Sequence, residues 1–236
     1  MIELIDCSVY SKNKKIIKGI SFEIPKRSFF TIIGESGGGK TILSTMILDL
    51  LPSHFKITGT INADRKKMDM ILQDPIGSMQ RNITIRTQLN QLLKSKGVKD
   101  KKVRKLEIEQ LLNWVGFDPV EKILDKRAFE LSGGMCQKVA IVSTLLTSPE
   151  IIIADEPTSA LDETSQKIIL DLLWKIYQEK GLTIIFITHD LAIVKEYSTH
   201  VAILKEGELI EVGETQKIIS NPSEEYTKEL IQIFEK

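Results

Sequence analysis

Residues 34–41 read Gly34-Glu35-Ser36-Gly37-Gly38-Gly39-Lys40-Thr41, a glycine-rich segment that ends in Lys-Thr. It follows an apolar run typical of a β-strand and precedes a run of helical period, the setting in which G-x-x-x-x-G-K-S/T forms a phosphate-binding loop. Glycines let backbone N–H groups face an anion, and the next helix adds the positive end of its dipole. We expect the Lys40 ammonium to reach the β- and γ-phosphates of a nucleotide, and the Thr41 hydroxyl to coordinate Mg²⁺.

The sequence on either side of this loop predicts a mixed α/β fold. The first 33 residues predict β structure and a small antiparallel sheet, and the loop is followed by a helix. From about residue 82 to 146 the apolar residues follow a helical period, which indicates an all-helical insert. After Pro149 a strand-helix-strand unit predicts a buried parallel sheet, and a hairpin is expected around Gly207. Predicted strands lie at about 2–9, 16–24, 28–33, 57–62, 68–72, 150–154 and 182–187.

Two neighbouring carboxylates follow the apolar run Ile151-Ile152-Ile153-Ala154. Asp155 and Glu156 would then lie at the carboxyl end of a buried strand, where ligands bind in open parallel sheets. There Asp155 is expected to hold Mg²⁺, and Glu156 to accept a proton from an attacking water. Taken alone, the pair could equally begin a helix ahead of Pro157.

A second glycine-containing motif, Leu131-Ser132-Gly133-Gly134, begins a predicted helix. Ser132 is a suitable N-cap, and the glycines leave the first N–H groups open to an anion. One chain seldom needs two such surfaces for one nucleotide. This motif therefore suggests contact with a nucleotide held by another copy.

Composition limits the remaining classes of function. The chain has 32 Lys+Arg and 32 Asp+Glu, so a net charge of zero gives no reason to expect a nucleic-acid partner. Its two cysteines, Cys7 and Cys136, have neither metal-ligand nor disulfide spacing, which fits a reducing compartment. The apolar runs are shorter than the roughly 18 to 20 residues of a membrane helix, and the acidic N-terminus does not resemble a signal peptide. An intracellular location is expected.

These motifs occur in the order typical of one family, together with Ser159-Ala160-Leu161-Asp162 and Thr188-His189-Asp190. From about residue 3 to its end the chain resembles the nucleotide-binding subunit of an ABC transporter. The resemblance implies a P-loop NTPase (RecA-like) core with an N-terminal antiparallel β subdomain and an all-α subdomain inserted at about 82–146. It also implies a single ATP-binding domain over 1–236, with ATP and Mg²⁺ as cofactors.

The resemblance also implies roles for individual residues. Gln73 is similar to the glutamine that contacts Mg²⁺ or the attacking water, and His189 to the histidine that contacts the γ-phosphate. Tyr10 resembles the aromatic residue that stacks on adenine, with Ile16 beside it, although a core or surface role competes for Tyr10. The implied catalytic residues are Glu156, His189 and Gln73, and the metal-binding residues are Thr41, Gln73 and Asp155. The implied nucleotide-binding residues are Tyr10, Ile16, Gly34, Glu35, Ser36, Gly37, Gly38, Gly39, Lys40, Thr41, Ser132, Gly133, Gly134 and Asp162.

One position departs from the usual family pattern, because Met135 follows Ser132-Gly133-Gly134 where glutamine is common. The change removes a polar contact expected at the ribose of the partner's nucleotide. Methionine in a helix is also a common packing residue, and both interpretations stay open.

The surroundings of these motifs narrow the resemblance to the peptide/nickel importer family. The similar stretches are Leu50-Leu51-Pro52-Ser53, Gln73-Asp74-Pro75, and Asn221-Pro222-Ser223-Glu224-Glu225-Tyr226-Thr227. The implied partners are transmembrane permease subunits, a second ABC ATPase subunit and, indirectly, an extracytoplasmic solute-binding protein, at the cytoplasmic face of the membrane. Two alternatives stay open: the ATPase subunit of an ABC exporter, and a soluble ABC ATPase acting on ribosomes or DNA.

Overall fold

A computed structural model of the protein describes residues 1–12 and 14–234, within which the strands form one three-stranded and one six-stranded sheet. The strands are β1 (Ile2–Ser11), β2 (Lys14–Ile24), β3 (Phe29–Gly34), β4 (Phe55–Asn62), β5 (Met68–Ile71), β6 (Ile151–Asp155), β7 (Thr183–Thr188), β8 (His200–Lys205) and β9 (Glu208–Glu214). The helices are α1 (Lys40–Ile47), α2 (Ile85–Ser95), α3 (Lys101–Trp114), α4 (Glu121–Leu124), α5 (Gly133–Leu146), α6 (Glu163–Lys180), α7 (Leu191–Tyr197), α8 (Thr215–Ser220) and α9 (Glu225–Phe234). No helix in these ranges is long and apolar enough to cross a membrane.

The larger sheet has the strand order β5-β6-β7-β3-β8-β9. All neighbouring pairs up to β8 are parallel, and β9 joins the edge antiparallel to β8. Every residue of β3, β6 and β7 is buried, as expected for strands covered on both faces. Because parallel strands end at the same edge, this sheet brings the ends of β3, β6 and β7 together.

The smaller sheet has the order β2-β1-β4, and both of its pairs are antiparallel. The sequence predicts an antiparallel sheet within the first 33 residues, but β3 does not belong to it. β2 alternates between buried and exposed residues and can cover only one face, whereas Phe29–Gly34 is buried throughout. That difference places β3 in the centre of the parallel sheet and leaves the third antiparallel position to β4.

Three apolar clusters cover the faces of the parallel sheet, and two of them pack on β6 and β7. On one face α2, α3 and α5, which lie in the predicted insert, pack with Ile152 of β6 and Phe186 of β7. On the other face, α1 packs with Ile153 of β6 and with the antiparallel sheet. The helical insert and the antiparallel sheet therefore lie on opposite sides of the strands whose ends carry the predicted site.

The hairpin between β8 and β9 turns at Gly207, as the sequence predicts. Gly207 donates its N–H to the Gly38 carbonyl at 3.1 Å and accepts from the Lys18 N–H at 2.9 Å. Its φ is 79°, and a Cβ at this position would overlap the Ile16 carbonyl oxygen. Only glycine fits this close approach, which joins the hairpin to both the phosphate-binding loop and β2.

Candidate functional site

A cavity of about 310 Å³ lies at the edge where β3, β6 and β7 end. It unites residues that are far apart in the sequence: Gln73 and Glu156 face the same space as the loop at 34–41. Its lining residues are Ile16, Ser36, Gly37, Gly39, Lys40, Thr41, Ile42, Gln73 and Glu156. Every lining residue except Ile42 is a predicted site residue, and the strand order brings them together from distant parts of the sequence.

The phosphate-binding loop connects β3 directly to α1. Gly39 is the N-cap of α1 and has a φ of 95°, in the left-handed region that favours glycine. A Cβ there would also lie 2.8 Å from Ile17 Cδ1. The glycine thus allows the chain to turn into α1 at the point where the first helical N–H groups face the cavity.

Lys40 is only 5% exposed, and its contacts lie within the loop and at the end of β6. Its Nζ donates to the carbonyl oxygens of Gly34 at 2.8 Å and Glu35 at 3.0 Å. Nζ is also 3.8 Å from Glu156 Oε1. Burial lowers the pKa of the ammonium, against the opposing influence of Glu156 and Asp155. A nearly buried cation at the base of the loop can bind phosphate oxygens strongly, because little water screens it.

Thr41 and Asp155 supply two adjacent oxygen atoms. The Thr41 hydroxyl donates to Asp155 Oδ1 at 3.4 Å, and Asp155 is 5% exposed. Burial raises the pKa of Asp155, the Thr41 hydrogen bond opposes the rise, and Glu156 adds to it. In the described part of the chain, no group of three or more His, Cys, Asp or Glu residues could hold a metal. One carboxylate and one hydroxyl fit Mg²⁺, which commonly takes its other ligands from phosphates and water.

Glu156 follows β6 with a φ of 43°, which is uncommon for a residue with a side chain. Its N–H donates to the Ile187 carbonyl at 3.1 Å, so the turn is fastened to β7. Its Oε1 lies 3.6 Å from His189 Nδ1, and the His189 side chain is 60% exposed. Glu156 therefore lies between the Lys40 ammonium and an imidazole that remains accessible, and its role as a catalytic base stays a prediction.

Gln73 is joined to the segment after Glu156. Its Nε2 donates to Ser159 Oγ at 3.2 Å, and the Ser159 hydroxyl donates to the Glu156 carbonyl at 3.1 Å. A shift of Gln73 would therefore be felt at Glu156 through two hydrogen bonds.

A second set of predicted residues is absent from the described lining of this cavity: Ser132, Gly133, Gly134 and Asp162. Ser132 is the N-cap of α5 and accepts the Met135 N–H at 3.3 Å. Asp162 is the N-cap of α6 and accepts the Ser165 N–H at 3.0 Å, which lowers the pKa of its carboxyl. Both therefore stabilise helix starts, and their contact with a nucleotide stays a prediction.

The two residues predicted at the adenine differ in position. Ile16 lines the cavity. Tyr10 is not among the described residues that do; it lies in β1 opposite Lys15, whose ammonium is 5.6 Å from the centre of the tyrosine ring. Stacking of Tyr10 on adenine stays a prediction.

Two contacts to the phosphate-binding loop are not predicted from the sequence. Gly207 binds Gly38 through the backbone, and Tyr226 of α9 donates its hydroxyl to Glu35 Oε1 at 3.2 Å. Residues 221–227 are notable in the sequence only as a family resemblance. A pairing across 191 positions leaves no local pattern from which it could be inferred.

Two family models match parts of this chain. The family model described as ABC transporter matches residues 17–159, which include the phosphate-binding loop and the Asp155-Glu156 pair. A model described as AAA domain, putative AbiEii toxin, Type IV TA system, matches the shorter range 125–195. The larger match covers well over half of the chain.

Curated relatives extend the similarity beyond this range. The chain is 34% identical to the dipeptide transport ATP-binding protein DppD of Bacillus subtilis, over 96% of this chain and 73% of that protein. It is 33% identical to the oligopeptide transport ATP-binding protein OppD of Lactococcus lactis subsp. cremoris, over 95% and 71%. For OppF of Streptococcus pyogenes serotype M1 the identity is 32%, over 98% and 80%.

Solved structures share the fold. The ATP-binding cassette MJ0796, in a dimeric post-hydrolysis state with ADP and Pi, has a TM-score of 0.78 and 26% identity, over 91% of this chain and 99% of that one. CbiO1 of Clostridium perfringens, part of the ABC transporter complex cbiONQ, has a TM-score of 0.79 and 25% identity, over 93% and 90%. These likenesses confirm the predicted P-loop NTPase fold with its antiparallel β subdomain and helices.

Proposed function

Because this chain belongs to the ABC transporter family, we propose that it is the ATP-binding, ATP-hydrolysing subunit that energises an importer of peptides, nickel or a related small solute. The observation that carries the proposal is the cavity in which the buried Lys40 ammonium meets the Glu156 carboxylate at 3.8 Å. Peptides are the favoured solute, since relatives with 33–34% identity over most of the chain are named for dipeptide and oligopeptide transport.

Each residue at the cavity has a separate role in the proposed hydrolysis of ATP. Lys40 and the N–H groups of the loop bind the phosphates, and Glu156 accepts a proton from the water that attacks the γ-phosphorus. His189 lies beside Glu156 and supplies a hydrogen-bond donor for the γ-phosphate. When bound by Thr41, Asp155 and Gln73, Mg²⁺ would neutralise charge on the β- and γ-phosphates.

A complete site in this proposal needs a second ATPase subunit. The segment Ser132–Gly134 is absent from the described lining of the chain's own nucleotide cavity, yet its N–H groups begin α5 and Gly133 is exposed. The dimeric state described for MJ0796 supports such a pairing. ATP held by one subunit would be covered by the partner's Ser132–Gly134 segment, and hydrolysis would let the pair open.

Met135 offers a test of that pairing. It is half-buried and packs against the helical cluster, while a glutamine there could also hydrogen-bond a ribose hydroxyl of the partner's nucleotide. Because one such bond contributes about 0.5 to 1.5 kcal/mol, Met135→Gln should strengthen ATP-dependent dimerisation several-fold in the Glu156→Gln background. Analytical ultracentrifugation with and without ATP measures this. Equal dimerisation of the two variants would assign Met135 to packing alone.

The permease is proposed to dock beside Gln73. A groove of about 510 Å³ lies between the end of β5 and helices α2 and α5, lined in part by Leu72, Met79 and Leu92. A cytoplasmic helix of a permease fits a groove with this mixture of apolar and polar side chains. The groove adjoins the Gln73–Ser159 bond, so the proposed helical subdomain at about 82–146 can transmit nucleotide-dependent motion. The protein would then act at the cytoplasmic face of the membrane, with a solute-binding protein as an indirect partner.

Solute uptake in cells that lack the protein tests the function. We expect uptake of labelled dipeptides and oligopeptides to fall to background, and to be restored by the wild-type chain but not by Glu156→Gln. Labelled nickel uptake, measured in the same cells, decides between the two solute classes. Normal uptake combined with defective export of a solute would contradict the importer assignment.

A further inference from the structure

The C-terminal helix α9 contacts the phosphate-binding loop through one side chain. The Tyr226 hydroxyl donates to Glu35 Oε1 at 3.2 Å. The Lys205 ammonium lies 4.1 Å from the centre of the Tyr226 ring. Lys205 ends β8, whose Leu204 pairs with Gly34 at the start of the loop, so all three side chains meet at one corner of the site.

The position of Tyr226 is fixed by the packing of α9. Tyr226 and Leu230 pack against a cluster that includes Ile33, the residue before the loop. In front of α9, Ser223 donates its N–H and its hydroxyl to Glu211 Oε1 at 3.1 and 2.9 Å. Burial would raise the pKa of Glu211, but the hydrogen bonds that its carboxylate accepts, including those from Ser223 and the Glu224 N–H, outweigh burial and lower the pKa. The carboxylate therefore stays charged and holds the start of α9 on β9.

Glu35 carries a negative charge within an anion-binding loop, and a carboxylate facing the nucleotide there would repel phosphate. The Glu35 carbonyl oxygen accepts hydrogen bonds from the Gly38 N–H at 3.1 Å and from Lys40 Nζ at 3.0 Å. The Glu35 backbone is therefore part of the phosphate-binding loop. Its side chain points elsewhere: Glu35 is absent from the described lining of the cavity, and its carboxylate is bound by Tyr226. Burial and this carboxylate raise the pKa of Tyr226 to about 12, so the hydroxyl remains a donor at neutral pH.

We propose that Tyr226 is a positioning residue for ATP binding, whose hydroxyl holds the Glu35 carboxylate away from the phosphates. Through this bond, helix α9 sets the affinity of the loop for nucleotide. The inference rests on the proposed ATPase function and adds to it an element outside the residues that contact ATP. If the bond is broken, the freed carboxylate can swing toward the phosphates and oppose them.

Tyr226→Phe tests this by removing the hydroxyl while keeping the ring that packs beside Lys205. We expect the Kd for ATP to rise about three- to tenfold, the range that the loss of one exposed hydrogen bond implies, while kcat at saturating ATP stays the same. In a Glu35→Gln background, the same substitution should change Kd less than about twofold, because the neutral amide does not repel phosphate. Fluorescent-nucleotide titration and steady-state ATPase assays give the two quantities.

Glu35→Asp provides a second route that leaves α9 untouched. The shorter side chain keeps its charge but cannot reach the hydroxyl, so it should raise Kd by a similar about three- to tenfold factor. An unchanged Kd in both Tyr226→Phe and Glu35→Asp would overturn the inference. So would an equal rise of Kd caused by Tyr226→Phe in the wild-type and Glu35→Gln backgrounds, since that marks a general effect of packing. Failure of the wild-type chain itself to bind ATP would instead contradict the proposed function.

Discussion

Replacing Glu156 with Gln is expected to slow ATP hydrolysis by at least about 10²-fold while ATP binding is retained. The amide keeps the size and position of the side chain, next to Lys40 and His189, but it cannot accept a proton from water. The loss of negative charge 3.8 Å from Lys40 should also leave the ammonium freer to bind phosphate, so affinity should not fall. Phosphate release under saturating ATP and nucleotide titration measure the two effects separately.

Glu150→Gln is the matched control, because Glu150 immediately precedes β6 at the end opposite Glu156. It is exposed and paired with Lys67, far from the cavity, so its loss should leave hydrolysis at the wild-type rate. Near-normal hydrolysis by Glu156→Gln would move the proton acceptor elsewhere. His189, 3.6 Å away, would then be the next candidate.

Lys40→Ala is expected to abolish ATP binding at micromolar concentrations. The Lys40 ammonium and a phosphate oxygen would form a buried charge pair, and removing one partner of such a pair costs about 2–5 kcal/mol. The upper part of this range corresponds to ATP binding that is weaker by at least about 10²-fold. The loop N–H groups cannot compensate, since they lack a full charge. Titration of a fluorescent nucleotide, with a melting curve to confirm folding, measures the loss.

Lys94→Ala, at an exposed position near the end of α2, controls for the general effect of removing one positive charge. We expect it to bind ATP as the wild type does. A folded Lys40→Ala protein that kept wild-type affinity would refute the phosphate-binding assignment of the loop.

The predicted elements whose signals are local agree with the structure. The run Gly34–Thr41 predicts a loop between a strand and a helix, and α5 begins at Gly133, within the motif that the sequence predicts as a helix start. The sheet to which a strand belongs is not predicted correctly from the local pattern in the case of β3. The strand at 28–33 looks like its neighbours in sequence, and only its burial on both faces separates it from them. Burial depends on partners from distant parts of the chain, which a local pattern does not contain.

At the candidate site, too, local motifs could be predicted and contacts between distant parts of the chain could not. Lys40, Thr41, Asp155 and Glu156 could be predicted because each stands next to a strand end in a recognisable motif. The Tyr226–Glu35 bond could not, since it depends on how α9 folds back over the sheet. The roles of Tyr10 and Asp162 also stay predictions, because each makes contacts within this chain that are sufficient reason for its presence.

The Gly207 turn has a practical consequence for anyone who wishes to label or fuse this protein. Hairpin turns are ordinarily good places for an inserted tag, because the chain there faces solvent. Gly207 is instead buried between Ile16 and Gly38. Residues inserted there would break the backbone hydrogen bonds by which Gly207 joins β2 to the phosphate-binding loop. The turn at Gly97, between α2 and α3, is exposed and has no atom within 4 Å of a Cβ built there. A fluorophore or epitope at Gly97 leaves the nucleotide cavity intact, and it also reports on the groove proposed for the permease, because Ser95 of that groove lies two residues away.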